Sequence, residues 1–280
     1  MLHSVNREAL KELRCIYSYK WLPCPSIFPN LTSLDLMDFE WDAHWLGQLR
    51  CLPQLQDLGL SCSGGHGLLL LPALPALTGL TVRIDSQATL RVVLWPTLPA
   101  LQKLAIDSRA EVEILAVGEG LGLQGAGMMA LGSAGLAARA AAAGAAGAAY
   151  PPGSTSCAIH TLELGGSSIT VDFGMLPVLE SLSLYGCGAL AGGSTLAGAS
   201  ALRSLYVDGT GLYGGVPSLL TAVWVTELLR AAPASLRKLH MEGLWGIQQS
   251  QVIGGLSQLQ MLALDSVGDG NPAAAAAALA

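Results

Sequence analysis

Charge is scarce in this sequence. Only 12% of its 280 residues are Asp, Glu, Lys or Arg, about half the share in an ordinary soluble domain, so charge-rich disorder is excluded. Basic residues are outnumbered as well. A net charge of −6 and a pI near 5.3 leave no general attraction to nucleic acid or anionic lipid. Long lipophilic runs are missing too: no stretch of ~18 residues is convincingly apolar, so the mean hydropathy of +0.49 does not signify a membrane span. Cysteine is sparse, and Cys15, Cys24, Cys51, Cys62, Cys157 and Cys187 show no C-x2–4-C spacing. That argues against structural zinc and against a disulfide framework, and for reduced thiols in a reducing compartment. The opening MLHSVNREALKELRC has neither the apolar core nor the cleavage site of a secretory signal.

Catalytic signatures are also wanting. The sequence contains no H-E-x-x-H, no G-x-S-x-G and no phosphate loop, and none of Lys11, Lys20, Lys103 or Lys238 follows a glycine. His3, His44, His66, His160 and His240 are scattered without metal-ligand spacing. We therefore expect no enzyme, no metal and no cofactor.

What is abundant is leucine, about one residue in five, and it is periodic. The string L-x-x-L-x-L, with conservative replacements, starts at Leu10, Leu31, Leu55, Leu77, Leu101, Ile159, Leu179, Leu202, Leu236 and Leu259. Successive starts are 21, 24, 22, 24, 58, 20, 23, 34 and 23 residues apart. Seven of these nine spacings fall between 20 and 29, the period of a leucine-rich repeat. Leu52-Pro53, Leu98-Pro99 and Leu176-Pro177 introduce several copies.

On these residues the chain resembles the leucine-rich repeat family, in an irregular intracellular form, over nearly its whole length. The resemblance implies an α/β solenoid: a horseshoe with a parallel concave sheet and a mixed helical and extended convex side. The chain departs from the family at the ninth repeat position, where Asn or Cys normally satisfies backbone groups inside the turn. Ser18, Phe39, Ser63, Asp85, Arg109, Ser167, Cys187, Thr210, Leu244 and Val267 stand there. Ser, Thr, Asp and Cys can replace part of such a ladder; Phe39, Arg109, Leu244 and Val267 cannot.

The physics of stacking follows from the strand period of two, which sends the aliphatics of x-L-x-L-x inward and their neighbours outward. Four or five buried aliphatics per repeat, worth roughly 1.5–3 kcal/mol each, do not offset ordering some 23 residues at about 1–2 kcal/mol apiece. One repeat cannot fold alone, but a stack can. Residues 43–50 and 217–232 read as convex helices, with 249–256 a weaker third, and Trp21, Trp45, Trp95 and Trp224 are expected to pack the convex layer.

The organisation expected is about five repeats over 1–109, a low-complexity Ala/Gly insertion over 110–158, about five more repeats over 159–270, and a poly-Ala tail over 271–280. Val112–Leu115–Val117 fits the template but starts 11 residues after Leu101, and reads as a strand-like extension. The G-x-G-x-x-G at 120–125 lacks the downstream acid of a dinucleotide site, since no acid lies between Glu119 and Glu163. Six glycines make 120–138 a poor membrane helix.

In this register the outward residues of the C-terminal strands form two rows. Asp208, Glu242 and Asp265 make an acidic row beside Tyr185, and Tyr206 and His240 a second row. A protein partner with a Lys/Arg-bearing segment fits such a face, the tyrosines serving as amphipathic anchors; the plainer reading is a solvated polar surface. The N-terminal repeats offer a mixed set: Glu12, Arg14, Asp35, Asp38, Asp57, Arg83, Lys103 and Asp107. The function expected is a non-enzymatic scaffold for protein–protein interaction through the concave face. It is expected in the cytoplasm, with cytoskeletal or axonemal association as a variant, and without nucleic-acid or membrane partners. The alternative is a ligand-sensing or substrate-receptor fragment of a larger multidomain protein, such as a ubiquitin-ligase adaptor, a GTPase regulator or an axonemal component. The absence of evident caps favours it and predicts self-association of open terminal repeats.

Overall fold

The computed structural model describes residues 9–16, 27–38, 43–62, 68–85, 89–94, 98–109, 111–116, 158–166, 168–187, 196–209, 219–243 and 256–265. Ten strands of the described residues form one parallel sheet: β1 (Glu12–Ile16), β2 (Ser33–Met37), β3 (Asp57–Cys62), β5 (Gly79–Ile84), β7 (Lys103–Ser108), β9 (Thr161–Gly165), β11 (Ser181–Tyr185), β12 (Ser204–Asp208), β13 (Lys238–Glu242) and β14 (Met261–Asp265). Each is one copy of the repeat, and none is skipped. The register sets like positions side by side: Leu80 opposite Leu104, Leu104 opposite Leu162, Leu162 opposite Leu182, Leu182 opposite Leu205. Burial alternates as the period of two requires, with Leu182 and Leu184 fully buried and Ser181, Ser183 and Tyr185 half-buried on the other face. The architecture is a leucine-rich-repeat horseshoe.

Two backbone devices repeat along it. First, Leu-Pro is a turn signal. In Phe28-Pro29, Leu52-Pro53, Leu74-Pro75, Leu98-Pro99 and Leu176-Pro177 the carbonyl before proline accepts the N–H three residues on, from Leu31, Leu55, Leu77, Leu101 and Leu179. Proline supplies the preset φ at the second turn position. Second, one carbonyl per repeat accepts two N–H groups of the next repeat: Thr78 O from Gln102 and Lys103, Gln102 O from His160 and Thr161, and so on from Lys11 to Arg237. This main-chain stitch is independent of side-chain identity, which frees that position to be Lys, Thr, Gln, His, Glu or Arg.

The convex side carries something the repeat pattern alone does not foretell. After β3, β5, β7 and β9 the chain runs into β4 (Leu68–Leu70), β6 (Leu90–Leu94), β8 (Glu111–Ala116) and β10 (Ser168–Val171), which form a second parallel sheet ordered β10-β8-β6-β4. Glu111–Ala116 contains the Val112 and Leu115 of the expected strand-like extension. It is the middle of this sheet, bonded to β6 on one side and β10 on the other. Leu69, Val92, Ile114 and Val171 line up across it and are buried, as are Leu90, Val112 and Ile169. β-Branched side chains suit this extended return.

Elsewhere the return is helical. Helix α1 (Ala43–Gln48) is followed by a 3-10 turn Leu49–Cys51. Helix α2 (Leu219–Arg230) buries Trp224, Val225, Leu228 and Leu229, one stripe at helical spacing. Two further 3-10 turns, Phe173–Met175 and Leu196–Gly198, stack directly on one another. Trp45 packs against the core. Trp21, Trp95, most of the expected helix at 249–256, the glycine-rich 120–125 and the apolar 120–138 lie outside the described residues.

Of the ninth-position residues, Asp85, Arg109 and Cys187 are among the described residues, and of these Cys187 behaves as an inner ladder residue. It is 3% exposed, and its Sγ donates toward the carbonyls of Leu164 and Tyr185 at 3.6 and 3.5 Å. Burial pushes its thiol up to about 12. Asp85, which was open to the same role, is exposed instead and forms an ion pair with Arg109. A surface bridge between successive repeats thus takes the place of a buried bond.

Candidate functional site

The solvent face of the sheet is built from residues two apart in each strand, so every repeat contributes to the same three rows. In the C-terminal repeats the register places Tyr185 opposite Asp208, Asp208 opposite Glu242, and Glu242 opposite Asp265. The neighbouring row runs Ser183, Tyr206, His240, Ala263. All six residues anticipated from the sequence therefore share one face across four adjacent strands.

Their side chains are coupled. The rings of Tyr185 and Tyr206 stand 5.3 Å apart at 47°, and Tyr206 meets His240 edge-on at 4.8 Å and 89°. Both separations lie in the favourable range for aromatic pairs. Tyr206 donates its hydroxyl to Glu242 Oε2 at 2.7 Å, and His240 Nε2 lies 2.8 Å from Asp265 Oδ2. The like charges of the acidic row are thus met in part from within: Glu242 by a phenol and Asp265 by an imidazole. Burial raises the Tyr206 pKa above the ordinary tyrosine range, helped by the hydrogen bond to Glu242 and the negative charges of Asp208 and Glu242. The phenol is therefore a donor throughout the neutral range.

The first repeats pave the same face differently. Gly59, Gly79, Thr81, Ala105 and Gly165 supply a low floor, and two neighbouring recesses of about 450 and 230 Å³ open over it. A methyl group at Gly59 would meet the Asp35 carboxylate, and one at Gly79 the Asp57 carboxylate, because each acid lies across the glycine of the next strand. Arg14 pairs with Asp35 at 3.2 Å and Lys103 with Glu163 at 2.8 Å. Asp107 is half-buried, and its Oδ1 is shielded from solvent without a hydrogen-bond partner. Burial raises its pKa, Arg83 and Arg109 oppose the rise, and Asp85 adds to it.

Glu163 and Gly165 were not singled out by sequence, although they occupy the same fifth and seventh repeat positions as Tyr206 and Asp208. The register alone would have found them. Of the scattered histidines, His44 lies on α1 bonded to Gln48 at 3.1 Å, and His160 sits 3.9 Å from Glu180. No cluster of three or more His, Cys, Asp or Glu residues is placed to hold a metal among the described residues. No helix among them is long and apolar enough to cross a membrane.

The sequence matches no protein-family model and no curated protein. It is similar to solved structures. An internalin from Listeria monocytogenes aligns over 89% of this chain and 66% of its own length, at 15% identity and a TM-score of 0.37. A leucine-rich-repeat protein from Leptospira interrogans aligns over 94% of this chain and 74% of its own, at 16% identity and a TM-score of 0.32.

Proposed function

We propose that the protein is a non-enzymatic scaffold that holds a Lys/Arg-bearing segment of another protein against the C-terminal strands of its concave sheet. The observation that carries this reading is the stack Tyr185–Tyr206–His240, bordered by the row Asp208–Glu242–Asp265. Rigid amphipathic rings give contact area at little entropic cost. An adjacent acidic row supplies complementary charge, which contributes orientation and encounter rate. The carboxylates stand on an open sheet, with the Asp265 side chain 65% exposed, and not in a water-excluding cleft of the kind that tunes catalytic groups. Among the described residues Cys15, Cys51 and Cys187 are free thiols, which supports a reducing, cytoplasmic setting.

The test is quantitative proximity labelling with the full chain, wild type against the triple charge reversal D208K/E242K/D265K. The expected result is a loss of about tenfold or more in the labelling of partners that carry basic segments. An unchanged partner set would remove this face from consideration.

A further inference from the structure

The smaller of the two recesses lies at the edge of the aromatic stack, where Tyr185 forms part of its wall, and its lining has an unusual balance of charge. In the seventh repeat position four consecutive strands carry Arg83, Asp107, Gly165 and Tyr185, each opposite the next. Gly165 has no side chain where its neighbours have long ones, so the row contains a gap of one side chain, with Asp107 on one wall and Tyr185 on the other. Glu163 and Lys103 close a third side, already paired with each other at 2.8 Å. The recess is open on its solvent side and holds about 230 Å³, below the ~300–1,000 Å³ of drug-sized ligands, which suits a small ligand.

Two groups in this lining lack a direct partner at short range, although Asp107 feels the charges of Arg83 and Arg109. Asp107 Oδ1 is shielded from solvent and accepts no hydrogen bond, a costly condition for a carboxylate. Arg83 is exposed and joins no ion pair among the described residues, although Asp107 is its cross-strand neighbour. A lone cation entering the recess would meet Asp107 but also Arg83 and Lys103. A lone anion would meet Arg83 but also Asp107 and Glu163. Only a ligand bearing both signs a short distance apart finds a partner for each without a repulsive neighbour.

We propose that this recess binds a free α-amino acid, with its ammonium toward Asp107 and Glu163, its carboxylate on Arg83, and its side chain against the ring of Tyr185. The site shares only Tyr185 with the proposed docking face and does not rest on the protein-scaffold reading. Its test variants leave Asp208, Glu242 and Asp265 untouched, so the two can fail separately.

The experiment is a titration of the full chain, followed by backbone amide NMR, with L-leucine, L-phenylalanine, N-acetyl-L-leucine (no ammonium) and L-leucinamide (no carboxylate). One or both free amino acids should give saturable shifts on β7 and β9, and each single-charge analogue of leucine should bind about tenfold more weakly or worse. Arg83→Gln should bring leucine down to the level of leucinamide, and Asp107→Asn to the level of N-acetyl-leucine, with the melting transition retained in both. Absence of saturable shifts with both free amino acids overturns the proposal. So does leucinamide binding as tightly as leucine, which would make the recess an anchor for a basic side chain of a macromolecule.

Discussion

The two ends of the concave sheet rest on the same foundation and present different surfaces. Beneath β3, β5 and β7 the inward columns are Leu58–Leu80–Leu104 and Leu60–Val82–Ile106; beneath β11, β12 and β13 they are Leu182–Leu205–Leu239 and Leu184–Val207–Met241. All twelve side chains are at most 2% exposed. Above them, the first set of strands carries glycine, threonine, alanine and ion pairs, and the second carries a continuous aromatic and acidic stack. The returns differ as well, a second sheet for one and 3-10 turns and α2 for the other. The stack of repeats therefore constrains one face of each strand tightly and leaves the other nearly free. That division would let a single solenoid hold the proposed small-ligand recess at its middle and the proposed protein-docking surface towards its end.

If the columns are the shared foundation, damage to them should ignore this division. Leu162 is fully buried in β9, between Leu104 and Leu182. Leu162→Ala should cost about 2–5 kcal/mol, the range for a buried leucine that leaves a cavity. Chemical denaturation should show the loss, together with diminished contact on both flanks. If only one set of repeats lost protection from hydrogen exchange, the sheet would be two cooperative units and not one.

A second perturbation should single out the C-terminal returns. A β-carbon at Gly198 would approach Gly174 N at 2.6 Å and Gly174 Cα at 2.8 Å, so the two stacked 3-10 turns cannot separate less and accept a side chain. Gly198→Ala should destabilise by about 1–3 kcal/mol through overpacking against backbone. In the second sheet, where Val92 lies beside Leu69 and Ile114 on adjacent strands, the change Val92→Ile should cost less, because the added methyl meets side chains and not backbone. Equal losses at both places would mean that the two kinds of return are equally close-packed.

How much of this could be read from the sequence follows the same division. The leucine period located every strand of the large sheet, because burial on one face makes register a strong constraint. The same period places Tyr185, Tyr206, Asp208, His240, Glu242 and Asp265 on one surface. The second sheet escaped, because short returns such as Leu68–Leu70 and Leu90–Leu94 have no period of their own; their order comes from stacking on the returns of the next repeats. The Lys103–Glu163 pair and the unsatisfied Asp107 escaped for another reason. Residues 103 and 163 are 60 apart in the chain, and only the pairing of β7 with β9 makes them neighbours. Whether Asp85 turns inward or outward depends on Arg109, one repeat away, which no local pattern reveals.

A smaller effect is expected at Tyr206, where the aromatic face meets the acidic row. Removing its hydroxyl in Tyr206→Phe forfeits the bond to Glu242, a loss of about 1 kcal/mol. The loss should depend on pH in a definite sense. The folded phenol has its pKa raised above the ordinary tyrosine range, first by burial and then by Glu242, so folding favours the protonated form. Its contribution is complete below the ordinary tyrosine range and disappears as pH rises through the folded value. Stability curves of wild type and Tyr206→Phe should run parallel at neutral pH and converge at strongly alkaline pH. Alkaline absorbance titration of the variant should lack the latest tyrosinate step. Curves that stay parallel to the highest pH would place the hydroxyl in water and remove the coupling between the two rows.

The smallest effect belongs to the surface ion pair on the opposite side of the comparison. Lys103 and Glu163 are 52% and 31% exposed, so their attraction is screened and offset by the entropy of holding two long side chains. Lys103→Ala should change stability by less than about 1 kcal/mol, and less still in high salt. The consequence of interest is local. With Lys103 gone, Glu163 is released, the recess gains negative charge beside Asp107, and Arg83 becomes the only remaining basic group in its lining. Leucinamide, which carries only the ammonium, should then bind more tightly than it does to wild type, while N-acetyl-leucine binds more weakly. A variant that left both analogues unchanged would show that the pair lies too far from the bound molecule to shape its choice of charge. The recess would then rest on Arg83 and Asp107 alone.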